Sequence, residues 1–221
     1  MTESLRKFDT AMFDFDGTVM DTNGLIVESW EYTVKTLTGR DISIEDIQGT
    51  LGEVIAYSMT RIMPEIDPTV AVTTYREYQR DRYLSRIHLF DGALDTLIAL
   101  KNNGIKIGMV TSRLANSTFK ALDHFDMRQY FDAVLTAEDT PKFKPDPEPI
   151  NLMLDALGAD PAKSIYLGDT VHDILAAKAA GGYTILADWS FALPREKRAD
   201  APQPDLVLEK MSDLLDLFEV R

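Results

Sequence analysis

Hydrophobic and polar positions along the chain follow two different patterns. Residues 8–13 form a short apolar run of the length of a buried strand. From residue 21 to residue 87 the periodicity is helical and predicts no strand. Leu25, Trp30, Val34 and Leu37 recur at near-helical spacing, and Gly39 stands where that helix should stop. Ser43 ahead of Glu45 and Asp46 predicts an N-cap with acids in the first turn. Residues 49–52 read as a loop, and residues 53–63 and 69–84 as two further helices. In the last of these, Tyr75, Tyr78 and Tyr83 interleave with Arg and Glu.

From residue 90 the pattern changes. A helix over 93–103, closed by Gly104, precedes an apolar strand at 105–110. A helix at 116–125 and a strand at 133–136 follow. Pro145, Pro147 and Pro149 punctuate a loop before a helix that Gly158 ends. A strand at 164–167, a helix at 171–180, a strand at 184–187, an edge strand at 205–208 and a helix at 211–218 complete the reading. Residues 194–204 are the most loop-like segment. Such alternation predicts an α/β fold with a Rossmann-like, mainly parallel sheet. The helical block falls just after the first strand. Residues 1–20 and 88–221 are therefore expected to form the α/β core, and residues 21–87 an inserted helical cap domain.

Composition narrows the function. The chain has 221 residues, 45% of them hydrophobic and 27% charged, as in a globular protein with a solvated surface. A formal net charge of −13 argues against nucleic acid as a partner, because phosphates would be repelled. A phosphorylated small molecule would also be repelled unless local cations offset the excess. With no cysteine there is no disulfide, thiolate nucleophile or sulfur-ligated metal. Residues 1–7 are polar, and no apolar run approaches the length of a membrane span. A cytoplasmic protein, monomer or homodimer, with no membrane partner is the expectation.

The candidate chemistry collects at predicted strand ends, where open parallel sheets bind ligands. Asp14 and Asp16 follow the first strand. On an extended backbone both carboxylates would leave one face, and their repulsion would favour a shared cation. Magnesium suits such oxygen ligands, although the pair alone is equally compatible with a solvated turn. Gly17 then allows a sharp turn away from the strand. Thr111 and Ser112 follow the second strand, Lys142 and Lys144 the third, and Asp169, His172 and Asp173 the fourth. Four polar tips in register with the strand pattern gather carboxylates, hydroxyls and a lysine on one rim.

The segments DFDGTVMDT, VTSR, KPDPEP and GDTVHD, in that order, resemble the haloacid dehalogenase superfamily of aspartate-nucleophile phosphohydrolases. The resemblance covers nearly the whole chain, and the helical insertion is similar to the family's helical cap class. DTNGLI, TYREYQRDRY and KPDPEPI further resemble the bacterial pyrophosphatase and phosphoglycolate-phosphatase group. The resemblance implies a magnesium-dependent phosphatase acting on a small phosphorylated metabolite. It makes Asp14 the nucleophile and a metal ligand, and Asp16 the acid and base whose backbone carbonyl also meets the metal. It makes Thr111 and Ser112 the phosphate-binding pair and Lys144, favoured over Lys142 by the KPDP match, the neutralising cation. Asp169 would complete the metal site, and Asp173 would support Lys144 or a metal-bound water. Residues 49–52 are the cap loop expected to reach the site. Arg113 stands where relatives often carry lysine and is a candidate for anion binding. His172 is expected to face solvent or the cap, and His88 and His124 have no metal-ligand partners in the pattern. Tyr75, Arg76, Tyr78, Arg80 and Arg82 fit the solvated face of an amphipathic helix as well as a substrate contact. A phosphomutase and a phospho-accepting signalling protein use similar residues. The motifs leave the substrate open among phosphoglycolate, pyrophosphate, a nucleotide and a sugar phosphate.

Overall fold

A computed structural model describes residues 8–218; the polar stretch at 1–7 lies outside the described residues. The chain runs through β1 (Thr10–Phe13), β2 (Met20–Asp21) and five helices, α1 (Asn23–Thr38), α2 (Ile44–Gln48), α3 (Ile55–Ile62), α4 (Pro68–Arg80) and α5 (Tyr83–Arg86). It continues with β3 (His88–Leu89), α6 (Ala93–Asn102), β4 (Lys106–Val110), α7 (Ala115–His124), β5 (Ala133–Leu135) and α8 (Glu148–Leu157). The last elements are β6 (Ser164–Gly168), α9 (Val171–Ala179), β7 (Tyr183–Ala187) and β8 (Leu206–Leu208). Six strands form one parallel sheet in the order β5-β4-β1-β6-β7-β8, so β1 lies at the centre and the α/β expectation holds.

The central strand is buried along its whole length because helices cover both faces of the sheet. Side chains of alternate residues enter opposite layers. Ala11, Phe13, Ile107, Met109, Ile165 and Leu167 belong to one apolar cluster, closed by α6 and the 3₁₀ stretch Met211–Phe218. Met12, Val110 and Tyr166 belong to the other, with Ile150 and Met153 of α8 and Ala176 and Ala177 of α9. This parity decides where the functional side chains emerge.

Between β2 and β3 the helices build a separate apolar cluster from Ile26, Trp30, Val34, Ile47, Met59, Met63, Ala71 and Tyr75. The predicted caps are present: Ser43 Oγ accepts the Asp46 N–H at 3.0 Å, and Gly39 closes α1 in the left-handed conformation. Two readings are corrected here. The first is the absence of strands around the helical block. Met20–Asp21 pairs antiparallel with His88–Leu89 and brackets the block's two ends. Two-residue strands are too short to carry a period, so the sequence pattern misses them. The second is the single helix at 69–84, which breaks at Asp81 and Arg82. Tyr75 packs in the helical cluster and Tyr83 in the sheet-side cluster, so the chain is re-aimed between them. The loop-like segment 194–204 also contains a 3₁₀ turn, Arg195–Asp200, where Arg195 and Arg198 pair with Asp188.

Met59 is fully buried in the helical cluster. Met59→Ala should cost about 2–5 kcal/mol through lost burial and a residual cavity. Urea denaturation reads this directly, and a loss below about 1 kcal/mol would contradict the packing described.

Candidate active site

Strand register brings the predicted tips together. Phe13 lies beside both Met109 and Leu167, so Asp14, Val110 and Gly168 are equivalent positions one residue further on. The Asp14 N–H still donates to Leu167 O at 2.9 Å, which fixes Asp14 at the strand edge. By parity, Asp14 emerges on the Met12 and Tyr166 side, where Lys144 arrives from the proline-rich loop.

Lys144 and its two carboxylates form a buried ion triad. Lys144 Nζ donates to Asp14 Oδ1 at 2.8 Å and to Asp173 Oδ1 at 2.6 Å, and its side chain is only 3% exposed. It also donates to Tyr166 Oη at 3.1 Å, and that hydroxyl in turn donates to Val110 O at 3.1 Å. Asp173 is the third helical position of α9 and closes a capping box. Its Oδ2 accepts from the Thr170 N–H at 2.9 Å and from Thr170 Oγ1 at 2.6 Å. Burial alone would raise the Asp173 pKa, but the Lys144 charge and the bonds from Lys144 and Thr170 outweigh it and hold the carboxyl below its usual range. Burial disfavours the Lys144 ammonium, and Asp14 and Asp173 more than reverse that, pushing its pKa well up.

Asp14 and Asp169 are the under-compensated members. Burial, only partly offset by Lys144, raises the Asp14 pKa to about 7. Burial, together with the Asp173 and Asp14 charges, drives Asp169 well above the ordinary carboxylate range. Asp169 Oδ2 accepts from Ser190 Oγ at 2.5 Å, while its Oδ1 is buried without a hydrogen-bond partner. One oxygen from each of Asp14, Asp169 and Asp173 lies within 4.8 Å of the others. An orphaned carboxylate oxygen inside a tight acidic set fits a hard cation with oxygen ligands, as magnesium is. Gly17, at φ +74°, lies against this site, and a β-carbon there would stand 1.9 Å from Asp169 Oδ2.

Asp16 is placed differently. The extended geometry ends at Phe13, and a tight turn closes with Gly17 N–H on Met20 O at 2.9 Å, so the two carboxylates do not share one set of partners. Arg113 Nε donates to Asp16 Oδ2 at 2.9 Å and its terminal nitrogen to Oδ1 at 2.8 Å, while Thr22 Oγ1 donates to Oδ1 at 2.7 Å. The acidic set therefore contains Asp173 and not the Asp16 side chain. The Arg113 guanidinium lies 4.9 Å from the Tyr83 ring centre, and burial and the Arg113 charge have opposite effects on that phenol, leaving it at about 12.

A cavity of about 520 Å³ opens over the acids. Asp14, Asp16, Ser112, Lys144 and Asp169 line it from the sheet side. Thr111 is buried at the rim but outside that lining, and its Oγ1 accepts the Arg113 N–H at 3.1 Å as a turn cap would. Gly52, from the loop expected to reach the site, does so. It is at φ +82°, and a β-carbon on it would lie 2.9 Å from both His172 Nδ1 and Thr170 Oγ1. Gln48 adds a bond from its Nε2 to Phe191 O at 2.8 Å. Lys142 pairs with Asp146 and Glu148 at the surface and leaves the site to Lys144. Sequence reasoning missed Tyr166, Ser190 and the Arg113–Asp16 pair. A tyrosine in a buried strand needs a partner for its hydroxyl, and that signal was available for Tyr166.

A family profile described as haloacid dehalogenase-like hydrolase matches residues 11–187. The pyrophosphatase PpaX of Bacillus pumilus is 32% identical over 207 residues, which span 94% of each chain. A solved structure from Bacteroides fragilis assigned as a haloacid dehalogenase-like hydrolase superimposes with a TM-score of 0.82 at 26% identity, covering 94% of this chain and 100% of that one. A predicted phosphoglycolate phosphatase from Haemophilus somnus shares the fold, with a TM-score of 0.79 at 21% identity over 95% and 97% of the two chains.

Two tests follow from the charge arrangement. Lys144→Met should destabilise the protein by about 3–5 kcal/mol near neutral pH by stranding two buried carboxylates, and the deficit should shrink in acid as they protonate. A deficit independent of pH would contradict the triad. Because the folded Asp14 pKa lies above the unfolded one, its proton stabilises the fold at low pH and is lost as pH rises through about 7. Added magnesium should therefore raise the melting temperature more at about pH 8 than at about pH 5.5. An equal shift at both would count against the acidic site.

Proposed function

The chain belongs to the haloacid dehalogenase-like hydrolases, and from that premise we propose a magnesium-dependent phosphatase that works through a phosphorylated Asp14. The observation that carries the proposal is the buried triad, which holds Asp14 Oδ1 on Lys144 at the floor of the cavity. Among the described residues Asp14 Oδ2 has no hydrogen-bond partner and is available for attack.

In the first half-reaction Oδ2 bonds to phosphorus, the bond from phosphorus to the leaving oxygen breaks, and Asp16, which must enter this step protonated and released from Arg113, gives that oxygen its proton. In the second, water attacks the acyl phosphate, Asp16 takes the water's proton, and inorganic phosphate leaves a regenerated Asp14. Lys144 neutralises the nucleophile and the transferring group, most strongly where charge accumulates in the transition state. Asp173 positions Lys144. Ser112, and Thr111 beside it, hold phosphate oxygens. Asp14 and Asp169, with the Asp16 backbone carbonyl, hold magnesium, which when bound supplies further positive charge to the phosphoryl oxygens.

Residues 21–87 act as a cap over a core of 1–20 and 88–221, closing on the substrate and excluding bulk water. Their separate apolar cluster and the contacts of Gln48 and Gly52 with the sheet side support this division. The substrate is a small phosphorylated metabolite. Pyrophosphate, by the name of the Bacillus relative, and phosphoglycolate, by that of the Haemophilus neighbour, are the two candidates the comparisons suggest. A net charge of −13 supports a reading without nucleic acid. Among the described residues no helix is long and apolar enough to cross a membrane.

Asp14→Asn should lower phosphate release at least about a thousandfold while leaving the circular dichroism spectrum unchanged. Activity near wild type in that variant would refute the phospho-aspartate route.

A further inference from the structure

The cavity is larger and less polar than a bare phosphoryl site requires. Its volume of about 520 Å³ falls in the range of pockets that enclose organic ligands. An inorganic diphosphate would fill a small part of it and would leave Leu51, Val54, Leu114 and Phe143 facing water. Trp30, which also lines the cavity but is itself buried, is held by an edge contact with Tyr75, ring centres 5.7 Å apart, so the packing beneath this side of the cavity is fixed.

The cations on the cavity wall differ in their commitments. Lys144 is spent on Asp14 and Asp173, and Arg113 on Asp16, so Arg113 is not the free anion ligand its position suggested. Arg80 pairs with Glu77, and the one cap carboxylate on the wall, Glu53, is neutralised by Arg61. Arg76 of α4 and Lys120 of α7 are the exceptions. Among the described residues neither has an ion pair, a hydrogen bond or a ring contact, and both line the cavity, one from each side. In a chain with a net charge of −13, unpaired cations on a common cavity wall call for an anion from outside.

Resting on the phosphatase reading above, we infer that the leaving group is an organic moiety bearing a second anionic group, which Arg76 and Lys120 bind. The apolar wall takes the carbon skeleton, and the phosphoryl group sits below it at Asp14. Inorganic pyrophosphate satisfies the charge but not the wall, and a neutral ester satisfies the wall but not the charge.

Phosphate release in the presence of magnesium from 4-carboxyphenyl phosphate, phenyl phosphate and inorganic pyrophosphate separates these cases. The wild-type protein should show the highest kcat/KM for the carboxylated ester, with at least about a tenfold preference over phenyl phosphate. Arg76→Gln and Lys120→Gln should each reduce that preference, about tenfold for a charge-assisted contact, chiefly through KM, and Arg76→Lys should restore part of it. Both side chains are exposed, so the fold is not at risk. No preference in the wild type, an equal fall on both esters in the variants, or fastest turnover of pyrophosphate would each overturn the inference and leave the phosphatase reading standing. Release from none of the three would overturn both.

Discussion

The structure depends on keeping one ammonium and three carboxylates out of water at a strand edge. Removing an ion from water costs several kcal/mol even after relaxation, roughly per ion, so such a set is stable only if each charge has a partner. Lys144 satisfies Asp173 and one oxygen of Asp14. Asp169 gets a hydroxyl from Ser190 but no cation, so with all groups ionised two negative charges are uncompensated. The raised pKa values of Asp14 and Asp169 are the protein's response when only protons are at hand. A divalent cation would balance the same deficit without protonating Asp14. Holding a cation and keeping Asp14 ionised are therefore one electrostatic problem.

The fold meets this constraint through strand parity and register. Tyr166 of β6 pairs with Met12 of β1, and Asp14 lies two residues beyond Met12, so both emerge into the same layer. That layer is closed by α8 and α9, and α9 begins with the capping box that fixes Asp173. A slip of one residue in β1 against β6 would turn Asp14 toward the Phe13 layer and leave Lys144 facing an apolar cluster. The apolar alternation of β1 and β6 thus specifies the geometry of the ion triad as well as the core.

Much of this was legible in the sequence because the site is built from strand ends, and strand ends are what apolar runs and glycines mark best. Asp14, Lys144, Asp169 and Asp173 were placed together from those marks and from the family motifs, and they lie together. What was missed depends on angles and not on periods. The break between α4 and α5 follows from which cluster Tyr83 enters, and local helix propensity does not record that choice. The Arg113–Asp16 pair spans 97 positions and forms only because the turn at Gly17 swings Asp16 off the strand axis. Ser190 reaches Asp169 from a loop after β7 with no pattern of its own.

The two halves of the cavity are under unequal constraint. On the sheet side the charged groups at the cavity floor, Lys120 apart, form one coupled set that a single substitution disturbs. On the helical side Arg76 has no partner to lose, and the apolar wall needs only volume and rigidity, which many residues provide. On the proposed reading, the reaction is therefore written in residues that cannot change singly, whereas the leaving group is read by residues that can. A relative with the same acids and lysine need not share a substrate, and 32% identity to a pyrophosphatase carries the chemistry of the floor further than the chemistry of the wall. The two halves meet at Gly52, whose carbonyl accepts from Ser112 Oγ at 3.4 Å and whose open face lies toward Thr170 and His172, beside the capping box that sets Asp173. A change in how the helical block seats on that box would be felt by Lys144 through a single intervening carboxylate.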